Sequence, residues 1–110
     1  MKDIFKSSLL YDFYGELLTN HQKEIYEDFI LNDLSLGEIA EERGISRQGV
    51  HDLVKRCDKT LNGYEEKLHL LERFSKTKED VEKICKLADS GDKNNIHEIK
   101  TIAQEILDNY

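Results

Sequence analysis

Apolar residues recur every three or four positions along nearly the whole chain, and that spacing predicts helices throughout. The first stretch, Ile4 to Leu18, places Ile4, Phe5, Leu9, Leu10, Phe13, Tyr14, Leu17 and Leu18 on one wide stripe. Thr19 follows as an N-cap, with Gln22 three residues on as its capping-box partner. The helix it opens carries Ile25, Tyr26, Phe29 and Ile30 on one face and is expected to end near Asn32 and Asp33, two turn-prone residues. Ser35 and Glu38 form a second capping box. Their helix is short, with Leu36, Ile39 and Ala40 facing inward and Gly44 as its left-handed stop. Ser46 then caps a fourth helix that begins at Arg47.

In that fourth helix Val50, Val54, Cys57, Leu61, Tyr64, Leu68 and Leu71 alternate spacings of four and three. A 3.5-residue period held this long predicts a seam, on one continuous helix or one kinked at Asn62 and Gly63. The seam has two readings. It packs within the chain against the Phe5, Leu9, Phe13 and Leu17 stripe, or it also pairs with a second subunit. Beyond Phe74 the chain turns polar, and Thr77 is expected to cap a helix holding Val81, Ile84, Cys85, Leu87 and Ala88. Ser90 to Asn95 reads as a loop, and the last helix carries Ile96, Ile99, Ala103, Ile106 and Tyr110 in one stripe. The class is therefore all-α: a helix-turn-helix domain with a long following helix over 1–74, and a C-terminal helical extension over 75–110 in the same compact unit.

The helix-turn-helix reading rests on Leu36 to Lys55, LGEIAEERGISRQGVHDLVK. Two short helices joined by a tight turn need a small residue where they touch, and Ala40 is one. They need a glycine four residues later to make the turn, and Gly44 stands there. They need an aliphatic residue six further on to pin the second helix, and Val50 supplies it. Leu36, Ile39, Ile45, Leu53 and Val54 provide the remaining support. In this arrangement the second helix enters the major groove and offers its first turns to base edges.

Charge changes this picture in detail. The 110 residues hold 16 Lys plus Arg against 23 Asp plus Glu, a net charge of -7. Such acidity argues against coating DNA or membrane by bulk charge. Yet residues 35–63 carry five bases and five acids, with Arg47, Lys55, Arg56 and Lys59 gathered in the second helix of the motif. The candidate nucleic-acid contacts are Ser46, Arg47, Gln48, His51, Asp52, Lys55, Arg56 and Lys59. Arginine and glutamine suit guanine and adenine edges, and lysine and a helix-start serine suit phosphate. The expected partner is double-stranded DNA.

The remaining chemistry is sparse. Absence of proline permits long helices. No apolar run is long enough to span a bilayer, and the N-terminus lacks a signal-peptide core, so a cytoplasmic protein is expected. Cys57 and Cys85 make no disulfide framework and read as reduced thiols. The four histidines, His21, His51, His69 and His97, lie at no ligand spacing, so no metal is expected. No cofactor loop is present either. Paired acids such as Glu41–Glu42 diverge by about 100° on a helix and form solvated faces. With no nucleophile beside a base, an enzyme is not expected.

Three blocks, DFYGELLT (Asp12–Thr19), SLGEIAEERGISRQGV (Ser35–Val50) and YEEKLHLL (Tyr64–Leu71), stand in one order within Leu9 to Phe74. Together they make the chain resemble the YlxM family of bacterial helix-turn-helix proteins. That family looks like the promoter-reading fourth region of sigma factors. The resemblance implies a DNA-binding regulator. It also implies a link to the signal recognition particle, as an accessory protein that contacts the particle's GTPase or its RNA. Gly49 and His51 depart from the alanine and tyrosine expected in the family's recognition helix. Helix-turn-helix proteins often dimerise to reach successive major grooves, so a homodimer is expected, through Val54, Cys57, Leu61, Tyr64, Leu68 and Leu71 or through the C-terminal helices.

Overall fold

A computed structural model describes residues 3–110. Among them the chain forms six α-helices and no strand: α1 (Ile4–Tyr14), α2 (Asn20–Ile30), α3 (Leu36–Arg43), α4 (Arg47–Leu68), α5 (Leu70–Asp89) and α6 (Asn95–Asp108). Two compact units result, residues 1–71 and 72–110. The reason is that the buried apolar core stops at Leu71.

α1 is capped by Asp3, whose carboxylate accepts from the Lys6 N–H at 3.0 Å. It stops four residues before the expected Leu18, and Gly15–Leu17 tighten into a 3₁₀ turn. A Cβ at Gly15 would stand 2.7 Å from the Tyr11 ring, so this close approach requires glycine. The buried face of α1 is also rotated from the expected stripe. Ser7, Leu10, Tyr11 and Tyr14 point inward, while Phe5 is 74% exposed and Leu17 56%. Two tyrosines take the inward positions because each finds a carboxylate: Tyr11 donates to Glu27 at 2.5 Å and Tyr14 to Glu65 at 2.6 Å. A buried phenol needs such a partner.

Both capping boxes form. The Gln22 N–H donates to Thr19 Oγ1 at 3.2 Å and the Thr19 N–H to Gln22 Oε1 at 3.0 Å. Ser35 and Glu38 exchange the same pair of bonds at 3.1 and 3.0 Å. The bond from the Ser35 N–H holds the Glu38 carboxyl below its ordinary pKa.

α4 is continuous through Asn62 and Gly63 and runs 22 residues. Val50, Val54, Cys57 and Leu61 are wholly buried in the first unit, and Tyr64 packs against the same core. The register then ends. Leu68 is half exposed, His69 adopts a left-handed conformation (φ 57°), and Leu71 belongs to α5. The break is held by side chains. The Leu70 N–H donates to the Tyr14 hydroxyl at 3.1 Å and the Leu71 N–H to Glu65 Oε1 at 3.0 Å. Two of the orphan N–H groups at the start of α5 are thereby satisfied, beside a favourable negative charge.

α5 then runs unbroken through Ser75–Glu79, so Thr77 caps nothing there; its hydroxyl meets that of Tyr110 at 2.8 Å. Lys76, Lys78 and Glu79 in this stretch continue a helix about as well as apolar residues do, and no glycine interrupts it. The SGDKNN segment turns the chain, with Gly91 at φ 71°, and the Asn95 side chain donates to the Leu87 carbonyl at 3.1 Å. In the second unit no apolar side chain is fully buried.

Candidate nucleic-acid interface

The turn between α3 and α4 is built from backbone chemistry. Gly44 sits at φ 69°, ψ 31°, and both its N–H and the Ile45 N–H (3.1 Å) donate to the Ala40 carbonyl. This is the six-to-one closure of a Schellman stop. A side chain at Gly44 would touch nothing within 4 Å, so the dihedral and not space selects glycine. Ala40 and Val50 are buried where the two helices meet; Ile45, expected to pack back, remains a third exposed. Ser46 caps α4, accepting from the Gly49 N–H at 2.9 Å.

Arg43 and Asp28 fix the angle of this pair to the rest of the unit. Arg43 Nη2 and Nε reach Asp28 Oδ2 at 2.9 and 3.3 Å, and Nη1 reaches Glu24 at 3.2 Å. Asp28 is buried and also accepts from Asn32 at 3.1 Å. Its carboxylate is the main reason the guanidinium is held above its ordinary pKa. Sequence reading missed this clamp; the last-turn position of Arg43 was the available signal.

The buried side of α4 leaves a defined outer face. Arg47, Gln48, Asp52, Lys55, Arg56 and Lys59 are exposed and His51 is partly so. Two of the candidates engage each other: Gln48 Nε2 donates to Asp52 Oδ1 at 2.9 Å, which holds the glutamine amide in place. His51 Nδ1 lies 3.6 Å from the same carboxylate and is shielded from solvent, so the exposed part of the ring excludes that nitrogen. Arg47, Lys55, Arg56 and Lys59 make no ion pair among the described residues.

Asp58 is decisive for the electrostatics. On the linear sequence it opposes the neighbouring bases, but in the fold it turns away from them and accepts from the buried Tyr26 hydroxyl of α2. Burial first, and then this carboxylate, raise the Tyr26 pKa. The next residue inward, Cys57, is a neutral thiol pushed up to about 11 by burial, with Asp58 adding to the shift. Outward, four bases thus face one acid, Asp52. The signal for this arrangement was tyrosine where the apolar pattern would accept phenylalanine.

Among the described residues no three of His, Cys, Asp and Glu gather as a metal site. No helix of the described residues is long and apolar enough to cross a membrane.

A short helix, a left-handed glycine, a capped second helix and a basic outer face define a helix-turn-helix protein. Comparison with known families agrees: the model described as "Putative helix-turn-helix protein, YlxM / p13 like" matches residues 1–102, and the chain belongs to that UPF0122 family. The family is described by its motif and not by a reaction. Among its relatives, a UPF0122 protein of Desulforamulus reducens is 42% identical over 112 aligned positions, covering 98% of this chain and 96% of the relative. UPF0122 protein YlxM of Bacillus subtilis is 49% identical over 88, covering 80% and 79%. A UPF0122 protein of Caldanaerobacter subterraneus is 52% identical over 82, covering 74% and 70%.

Proposed function

We propose that this chain is a regulator that binds double-stranded DNA, with the first turns of α4 in the major groove. The observation that carries the reading is the outer face of α4, where Arg47, Lys55, Arg56 and Lys59 stand free while Asp58 is drawn inward by Tyr26. Arg47 and the ring of His51 address base edges, and Gln48 addresses an adenine once its amide leaves Asp52. Lys55, Arg56 and Lys59 meet phosphates, and the Ser46 hydroxyl, whose oxygen is engaged by Gly49, still has its proton to donate to one. Most of the remaining charge is negative, which confines contact to this face. Such a protein would act in the cytoplasm, where bacterial DNA lies.

The test is fluorescence anisotropy with a generic duplex at low salt. Binding is expected, weakening as salt rises. A protein that binds no duplex at about 50 mM salt ends this reading.

A homodimer fits the same proposal, because two recognition helices reach successive grooves. Val54, Cys57 and Leu61 are spent on the internal core, so the support lies in the second unit, where Phe74, Val81, Ile96, Leu107 and Tyr110 are exposed. The net charge of -7 suits a basic protein partner and so favours one further reading, an accessory protein that contacts the GTPase of the signal recognition particle or its RNA. A pulldown that recovers the particle's GTPase or RNA, from a chain that ignores duplex DNA, selects it.

A further inference from the structure

The outer face of α4 does not stop at Lys59. The row through Gln48, Asp52, Lys55 and Lys59 continues, at four-residue steps, to Gly63 and Lys67. There Lys59, Thr60, Gly63, Tyr64 and Lys67 line an open recess of about 360 Å³. Its floor is Gly63, in the middle of a continuous helix.

Glycine at such a place weakens a helix, so something must favour it. Nothing among the described residues does. The positive-φ glycines among the described residues are Gly44 and Gly91, so the Gly63 backbone needs no left-handed freedom. A Cβ built at Gly63 meets no atom within 4 Å, so no neighbouring helix presses there. The missing side chain instead opens the recess outward, between two lysines that make no ion pair among the described residues. Tyr64 forms one wall and is held by its ring contact with Tyr14, 5.9 Å between centroids.

We infer that this recess seats the sugar–phosphate backbone of the bound duplex, where the exit of α4 from the major groove crosses a strand. The inference rests on the DNA-binding reading above. Lys59 and Lys67 supply point charges to a phosphate, and the Thr60 hydroxyl supplies a hydrogen bond. The lysine stems and the Tyr64 ring offer an apolar wall to the sugar. Gly63 lets the backbone approach the helix more closely than any side chain would allow. Gly63 lies fifteen residues beyond Gln48, about 22 Å along the helix axis, more than the roughly 12 Å width of the major groove, so it lies past the groove's rim when the first turns of α4 are seated in it.

The experiment compares the full chain with Gly63→Ala, Lys67→Ala and Lys83→Ala in duplex binding across a salt series, with thermal melts of each. Gly63→Ala is expected to melt about 4–8 °C higher, because alanine favours the helix, yet to bind the duplex about tenfold more weakly. Lys67→Ala lowers the slope of log K against log salt by about 0.9. Lys83→Ala, on α5, leaves the slope unchanged. If the wild type binds and Gly63→Ala binds equally well, the inference fails while the DNA-binding reading stands. The inference fails likewise if Gly63→Ala melts lower, since the glycine is then structural. If the wild type binds no duplex, the reading itself fails and takes the inference with it.

Discussion

Tyr14→Phe tests how the first unit holds its end. The ring of Tyr14 is 1% exposed and keeps its neighbours Phe13 and Tyr64 when the hydroxyl is removed. The loss is therefore polar. One bond to a carboxylate disappears, the 2.6 Å contact with Glu65, worth about 1.5–3 kcal/mol. The Leu70 N–H also loses the acceptor it meets at 3.1 Å, worth about 1 kcal/mol. Glu65 retains the Leu71 N–H and keeps some access to solvent, which offsets part of the cost. The net expectation is about 2–3 kcal/mol, or a fall in Tm of about 10–20 °C for a unit of this size. In urea the midpoint should fall with an unchanged m-value, because the surface exposed on unfolding is the same. Hydrogen exchange at the amides of residues 70 and 71 should accelerate more than at Val50 or Val54. A variant within about 0.5 kcal/mol of wild type, with those amides still protected, would refute the claim that this hydroxyl caps α5.

Other perturbations have equally definite outcomes. Lys55, Arg56, Lys59 and Lys67, the four bases placed on phosphates, predict a slope of log K against log salt near -3.6 per copy, so raising salt from about 50 to 200 mM weakens binding about 150-fold; Lys55→Ala should reduce that loss to about 40-fold. Burial raises the pKa values of Tyr11, Tyr14 and Tyr26, and that of Cys57 to about 11. The unfolded chain then releases these protons first, so stability should hold below about pH 9 and fall as pH rises through the thiol and phenol ranges, in urea melts from pH 7 to 11. Gly44→Ala should cost about 1–2 kcal/mol from its left-handed dihedral alone, read as a lower urea midpoint. Leu107→Glu with Ile96→Glu should shift a dimer to monomer in light scattering while leaving the helix content of α1–α4 unchanged; an identical mass for both proteins removes the C-terminal helices as the dimer contact.

Local chemistry was legible wherever the cause was local. Thr19 with Gln22, Ser35 with Glu38, Ser46, and Gly44 each act through bonds or dihedrals within six residues, and each stands where the pattern placed it. The inner positions of α4 were equally legible, because a long uninterrupted period leaves one face for burial. The orientation of α1 was not. Its apolar residues cover so much of the helix that several faces serve, and the choice went to the one that brings Tyr11 and Tyr14 to Glu27 and Glu65. Those bonds span 16 and 51 residues, beyond any local pattern. The end of α4 was not legible for a similar reason. Period alone continues to Leu71, but caps from Tyr14 and Glu65 give α5 a start of its own.

The sequence by itself determined that this is an all-helical chain with a capped pair of helices around Gly44, because caps, stops and apolar spacing are short-range causes. It also located the bases on the second helix of that pair. Only the tertiary structure decided what those bases face. It took Asp58 out of the outer surface and Arg43 into a clamp, since a charge acts where its side chain points, and packing with Tyr26 and Asp28 sets that direction.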